Sequence, residues 1–118
     1  MKTFIDVKKR EEDGIIIFEF NWELDETNTD ETFAAINEQL GDLKEKKVVF
    51  NLKDLKYLNS KSIGYIADIY SNIEENDGQM YISNCTDWVK DVLELVGITT
   101  IITTVDTETE AINSLKNS

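Results

Sequence analysis

Within a short span the chain changes its repeat. Val48-Val49-Phe50 is a β-branched and aromatic run, and soon after it Ile63, Ile66, Tyr70 and Ile73 recur at helical spacing. Asn59-Ser60 stands between the two, and both residue types are favoured at helix N-caps. A buried strand that feeds a covering helix predicts a following strand parallel to the first. This transition restricts the chain to folds that alternate strand and helix, and the absence of proline leaves its elements uninterrupted.

The remaining segments obey the same alternation. Phe4, Asp6 and Val7 fall in a short strand, Thr3 to Lys9. Glu11-Glu12-Asp13-Gly14 is a turn, and Ile15 to Phe20 is a second strand close enough to form a hairpin. A polar loop leads from Asn21-Trp22-Glu23-Leu24-Asp25 into a helix from Thr29 to Leu43, capped by Thr29 or Asp30. Lys47 to Leu52 is the third strand, and a helix starting at Asn59-Ser60 follows it. Gln79 to Ser83 is the fourth strand. A third helix begins at Thr86 or Asp87, carries Trp88, Val89, Val92, Leu93 and Val96 on its buried face, and stops at Gly97. Ile98 to Val105 reads as a fifth strand and Asp106 to Leu115 as a closing helix. The expected fold is α/β: one domain over residues 1–118, with a mixed sheet (an N-terminal hairpin, then parallel strands) covered by about four helices.

Several functions are excluded at this level. A net charge of −12 argues against nucleic acid as partner, because phosphate backbones require a basic surface. No histidine is present, so Ser-His and Cys-His nucleophile pairs and histidine metal sites are ruled out, and no glycine-rich phosphate loop occurs. Neither a cofactor nor a metal is expected, and no enzymatic activity. The single cysteine, Cys85, cannot form an internal disulfide and reads as a small buried hydrophobe in a reducing compartment. No apolar run suits membrane insertion, and Met1-Lys-Thr-Phe-Ile-Asp-Val lacks the pattern of a secretory leader. The expected location is the cytoplasm.

Charge is unevenly distributed. Glu11 to Leu43 holds eleven acids and no base, whereas Lys44, Lys46, Lys47, Lys53 and Lys56 precede Asn59 and Lys61 follows it. Those lysines are either solvated surface or a positive rim around Ser60. A serine at a helix start beyond a buried strand faces unpaired amides and a dipole that favours anions. Ser60 is therefore either a simple cap or an acceptor of phosphate. Ser62 is a second candidate acceptor, or an exposed first-turn serine. Gly64 either lets something approach the helix backbone closely or is simply a small residue on an exposed first turn. Trp22 is an aromatic suited to a partner contact or to packing over the hairpin end.

Four stretches together resemble the anti-sigma factor antagonists of the STAS superfamily (sulphate transporter and anti-sigma factor antagonist domains). Phe20-Asn-Trp-Glu-Leu-Asp25 is similar to the loop after the family's second strand, usually Gly-Glu-Leu/Ile-Asp. Val48 to Gly64 is similar to its strand, loop and switch helix, typically Asp-Ser-Ser/Thr-Gly-Leu-Gly. Val92-Leu-Glu-Leu-Val-Gly97-Ile and Asp106-Thr-Glu-Thr-Glu-Ala-Ile resemble its last two helical motifs. The resemblance implies that Ser60 is phosphorylated by a serine kinase that doubles as an anti-sigma factor, with a serine phosphatase as a further partner. It implies that Trp22, Glu23, Asp25, Asn59, Lys61 and Gly64 meet the partner. Asn59 stands where the family has Asp, Lys61 where it has a small hydroxyl residue, and Ser62 where it has Gly. Asn21-Trp22 replaces the glycine before Glu. The alternative implied by these departures is a constitutive subunit of a stress-signalling scaffold or a lipid-transport complex, with no phosphate cycle.

Overall fold

The computed structural model describes residues 1–118. In chain order the elements are β1 (Ile5–Glu12), β2 (Ile15–Leu24), α1 (Thr29–Leu40), β3 (Lys47–Leu58), α2 (Ser60–Glu75), β4 (Gln79–Ser83), α3 (Asp87–Leu95), a 3-10 turn (Ile98–Thr100), β5 (Thr103–Val105) and α4 (Glu108–Lys116). The strands lie in sequence order across one sheet. β1 and β2 are antiparallel, and every later neighbour is parallel. The β1–β2 turn places both Asp13 and Gly14 at positive φ, the geometry of a two-residue Asp-Gly hairpin.

Three successive crossovers of one hand lay α1, α2 and α3 on the same face of the sheet. Phe18, Phe20, Phe50 and Leu52 pack there against Phe33 and Ile36 of α1, Ile66 and Ile69 of α2, and Val89 and Leu93 of α3. α4 covers the other face, with Ala111, Ile112 and Leu115 over Ile15, Ile17 and Val49. The central strands are therefore apolar on both sides, which explains why Ile15–Phe18 and Val48–Phe50 read as continuous apolar runs. α4 is fastened at its start by Glu108, which accepts from Asn51 Nδ2 at 3.0 Å and pairs with Arg10. Burial alone would raise the Glu108 pKa; the hydrogen bonds from Arg10 and Asn51 outweigh it and hold the carboxyl below its ordinary value.

Several element boundaries differ from the sequence expectation, each for a local reason. α1 stops at Leu40 because Gly41 leaves the helix at φ 59. Its N-cap is Asn28, not Thr29 or Asp30. The expected fifth strand is mostly a 3-10 turn, and only Thr103–Val105 pairs. β3 continues to Leu58, not Leu52. It does so through two bulges: residues 51 to 54 oppose 19 to 21, and residues 55 to 57 oppose 22 to 23. The bulges turn the three-residue spacing of Leu52, Leu55 and Leu58 into a single buried row, a period that plain strand alternation does not recognise.

Gly78, at the entry to β4, lies against the chain that enters β3. A Cβ there would sit 2.4 Å from the Lys46 carbonyl oxygen and 2.8 Å from Ile73 Cγ2. That carbonyl already accepts the Gln79 amide and cannot move freely. Gly78→Ala is expected to cost about 2–3 kcal/mol by overpacking, seen as a lower urea midpoint with an unchanged slope.

Candidate functional site

Leu24 and Leu58 are in register, so β2 and β3 leave the sheet side by side. The β2–α1 loop and the start of α2 consequently share the carboxyl end of the sheet. In open α/β folds this end is where ligands and partners are met.

At the start of α2 the cap is Asn59, in extended conformation. Its Oδ1 accepts from the Ser62 amide at 2.9 Å, and Ser62 Oγ accepts from the Asn59 amide at 3.0 Å, a reciprocal capping box. Ser62 is wholly buried by this arrangement. That corrects its reading as an exposed serine and as a second phosphate acceptor: its hydroxyl is enclosed, and it donates to the Asn59 carbonyl. Ser60 is also not the cap. It is the first helical residue, it is exposed, and its hydroxyl has no hydrogen-bond partner in the chain. The capping box takes the amides of Asn59 and Ser62, leaving those of Ser60 and Lys61 as the helix's open donors.

Lys61 reaches across to α1. Its Nζ lies 2.8 Å from Asp30 Oδ1, and the Tyr65 hydroxyl donates to the same oxygen at 2.7 Å. The Tyr65 ring is stacked on Phe33, centroids 5.0 Å apart. The bonds from Lys61 and Tyr65 hold the Asp30 carboxyl below its ordinary pKa, and they raise the pKa of both donors. All three groups are at the surface, so the pair orients side chains more than it stabilises the fold. Gly64 is exposed on α2, and a Cβ there would meet nothing.

In the β2–α1 loop, Asp25 accepts from the Thr27 hydroxyl at 2.6 Å, from the Thr27 amide and from the Thr3 hydroxyl, which together lower its pKa. Asn28 is buried and fully engaged: it accepts from the Asp25 amide and donates to the carbonyls of Thr3 and Glu23. Asp25 is thus tied into the loop, with Glu23 half-buried before it. Trp22 remains 46% exposed and holds φ at 101°, a backbone region that glycine occupies freely and tryptophan does not. That conformation explains why a glycine suits this point of the loop.

The structure brings Glu23, Asp25, Asn59, Ser60, Lys61 and Gly64 to one end of the molecule, with Trp22 just inside it on β2. The six lysines do not gather around Ser60: Lys53 and Lys56 are exposed on the β3 extension and Lys61 is on α2, but Lys44, Lys46 and Lys47 stand at the opposite end of β3, roughly 30 Å of strand away, and Lys47 Nζ is bound to the Leu115 carbonyl. Asp30, Tyr65, Asn28 and the Tyr57–Trp88 stack were not found from sequence. Asp30 and Lys61 are far apart in the chain, and only the Lys61–Tyr65 spacing of one helical turn hinted at a shared face. Trp88, expected to pack inward, is 47% exposed and stacks on Tyr57 at 5.5 Å. Cys85 is half-buried against the main core, and burial pushes its thiol up to about 11. No group of three His, Cys, Asp or Glu side chains is arranged to hold a metal ion. No helix is long and apolar enough to cross a membrane.

Comparison with known proteins gives consistent matches. The model of the STAS domain family matches residues 6–111. A curated relative from Paenibacillus polymyxa, an anti-sigma F factor antagonist, is 25% identical over 103 residues, covering 87% of this chain and 88% of its own. Among solved structures, an anti-sigma-factor antagonist (STAS) domain protein from Planctomyces limnophilus superposes with a TM-score of 0.85 at 17% identity, covering 96% of this chain and 99% of the other. SpoIIAA in its unphosphorylated form, an anti-sigma factor antagonist, superposes at 0.70 with 17% identity, covering 98% and 100%. The Bacillus SpoIIAA in its phosphorylated form does so at 0.67 with 18% identity, covering 92% and 98%.

Two substitution pairs check the local geometry. Asn59→Ala is expected to destabilise the protein by about 1 kcal/mol through loss of the cap, whereas Ser60→Ala changes urea stability by less than about 0.5 kcal/mol. At position 22, Trp22→Gly and Trp22→Ala lose the same ring contacts but differ in backbone freedom. The glycine variant should be more stable than the alanine variant by about 1 kcal/mol, again by urea unfolding.

Proposed function

Because the chain belongs to the STAS domain family, we propose that it is a regulatory binding protein of the anti-sigma factor antagonist kind, switched by phosphorylation of Ser60. Its partner in this reading is a serine kinase that is also an anti-sigma factor, and a serine phosphatase resets it. Catalysis belongs to those partners, and the expected setting is the cytoplasm. The observation that carries the reading is the Ser60 hydroxyl: exposed, unpartnered, and at the first position of a helix whose cap is supplied by its neighbours.

In the transfer, Ser60 Oγ forms a bond to the γ-phosphorus of the kinase's nucleoside triphosphate. The bond to the bridging oxygen breaks, the diphosphate leaves, and the serine proton passes to a base of the kinase. The product gains nearly two negative charges and three acceptor oxygens. The open amides of Ser60 and Lys61 and the helix dipole accommodate that charge within the domain. A partner seated on the same surface would have to desolvate the phosphate, and it dissociates. Trp22, Glu23, Asp25, Asn59, Lys61 and Gly64 surround the acceptor and form the contact surface in this reading.

One observation favours the second reading, a constitutive subunit of a stress-signalling or lipid-transport complex. Lys61 is held by Asp30 rather than free beside the hydroxyl. The two readings separate in the source cell. Under the first, mass spectrometry finds one phosphate on Ser60, and Ser60→Asp lowers retention of the co-purifying kinase about tenfold or more. A Ser60 that stays unmodified in every growth condition, with a complex that survives Ser60→Asp, overturns the first and supports the second.

A further inference from the structure

The apolar side chains of α3 are more than its core contact needs. Val89 and Leu93 are buried. A second stripe, Trp88, Val92 and Leu95, recurs at intervals of four and three and so occupies its own side of the helix. Leu95 is 89% exposed, Trp88 is 47% exposed and Val92 half-buried. At the head of the stripe the Trp88 ring lies on Tyr57, itself 40% exposed, their planes 22° apart. Tyr57 is on the β3 extension, opposite Glu23 and three residues before Ser60. The stripe therefore begins at the end of the sheet already described and runs away along α3.

Its flank has one sign of charge. Asp87, Asp91 and Glu94 repeat at the same intervals one residue earlier, all exposed, and Lys90 is the single base on the helix. A second copy of this chain packed antiparallel along the stripe would set three acids against three acids, and in any packing two chains of net charge −12 repel. Anionic lipid and nucleic acid meet the same repulsion. A basic, amphipathic segment meets none. Its arginines find aromatic faces in Tyr57 and Trp88 and carboxylates alongside, and its apolar residues find Val92 and Leu95.

We propose that the Tyr57–Trp88 stack and the outer stripe of α3 are a docking surface for a basic amphipathic helix of a protein partner. Trp88 is the central anchor, as exposed tryptophans at interfaces commonly are. The surface is independent of the Ser60 chemistry, so a partner could be retained on α3 while its hold near Ser60 is switched.

The test uses the full chain and a synthetic amphipathic peptide with leucine on one face and arginine on the other. The control peptide has glutamate in place of arginine. Saturable binding of the arginine peptide is expected, with NMR shifts centred on the Trp88 indole and the α3 amides. Trp88→Ala, and Asp91→Lys with Glu94→Lys, should each weaken it by about tenfold or more, while Ser60→Asp leaves it unchanged. The proposal is overturned by shifts that map elsewhere, by equal binding of the glutamate peptide, or by a Trp88→Ala variant that binds as well. Concentration-dependent self-association that Trp88→Ala abolishes would assign the stripe to a second copy instead. None of these readouts requires a phosphate on Ser60, so failure here leaves that reading standing.

Discussion

The pairing of β2 with β3 beyond the end of β4 sets the position of every functional candidate in this molecule. β4 is in register with β3 only as far as Asn51, opposite Ser83. From there to Leu58, β3 continues beside β2 alone on one edge, while β1 flanks β2 as far as Trp22, and bulges keep β2 and β3 in step. Asn51 braces the first bulge, its side-chain oxygen accepting the Lys53 amide at 3.0 Å. The extension is held to the domain because Leu24, Leu52, Leu55 and Leu58 are all buried in the main core. Those buried leucines fix where β2 and β3 end, and so where the β2–α1 loop and the Ser60 hydroxyl stand relative to each other.

Much of this was legible in the residues. Element order and sheet type follow from the alternation of periods, because strands joined through helices pair in parallel. Thr86 and Gly97 were correctly placed at the two ends of α3, since caps depend on local chemistry. The failures share a different cause. β3 looked short because bulges replace the two-residue period with three. Asn59 rather than Ser60 became the cap because Ser62, three residues on, completes a reciprocal pair with it. Trp88 looked buried because α3 has two apolar stripes, and spacing alone does not say which of them meets the sheet.

Two substitutions relative to the family pattern are connected through the backbone. With Asn59 in place of an aspartate, the cap loses its favourable charge against the helix dipole. Ser62 in place of a glycine returns a hydrogen bond to that turn and adds a residue with better helix propensity. The start of α2 is thus held by neutral groups alone. Trp22 is the opposite case. It holds φ at 101°, a region that costs a non-glycine residue on the order of 1–3 kcal/mol, with much of its ring in water. The angle falls at the bulge that sets residues 55 to 57 opposite 22 to 23.

The two cores, one under α1–α3 and one under α4, contain none of the residues that distinguish this end of the molecule. Lys61, Asp30, Trp22, Trp88 and Tyr57 all meet solvent, and their contacts with one another lie outside the buried clusters. Most of the exposed side chains at this end thus lie outside the core, while Asn59, which caps α2, and Tyr65, stacked on Phe33, join the two. A change of charge at the carboxyl end alters what the surface repels or attracts, while the sheet beneath it stays as it is. This separation is the physical condition for a switch that works by local electrostatics. In the proposed switch the domain does not have to change shape, because the message would be carried by the energy of desolvating one helix start.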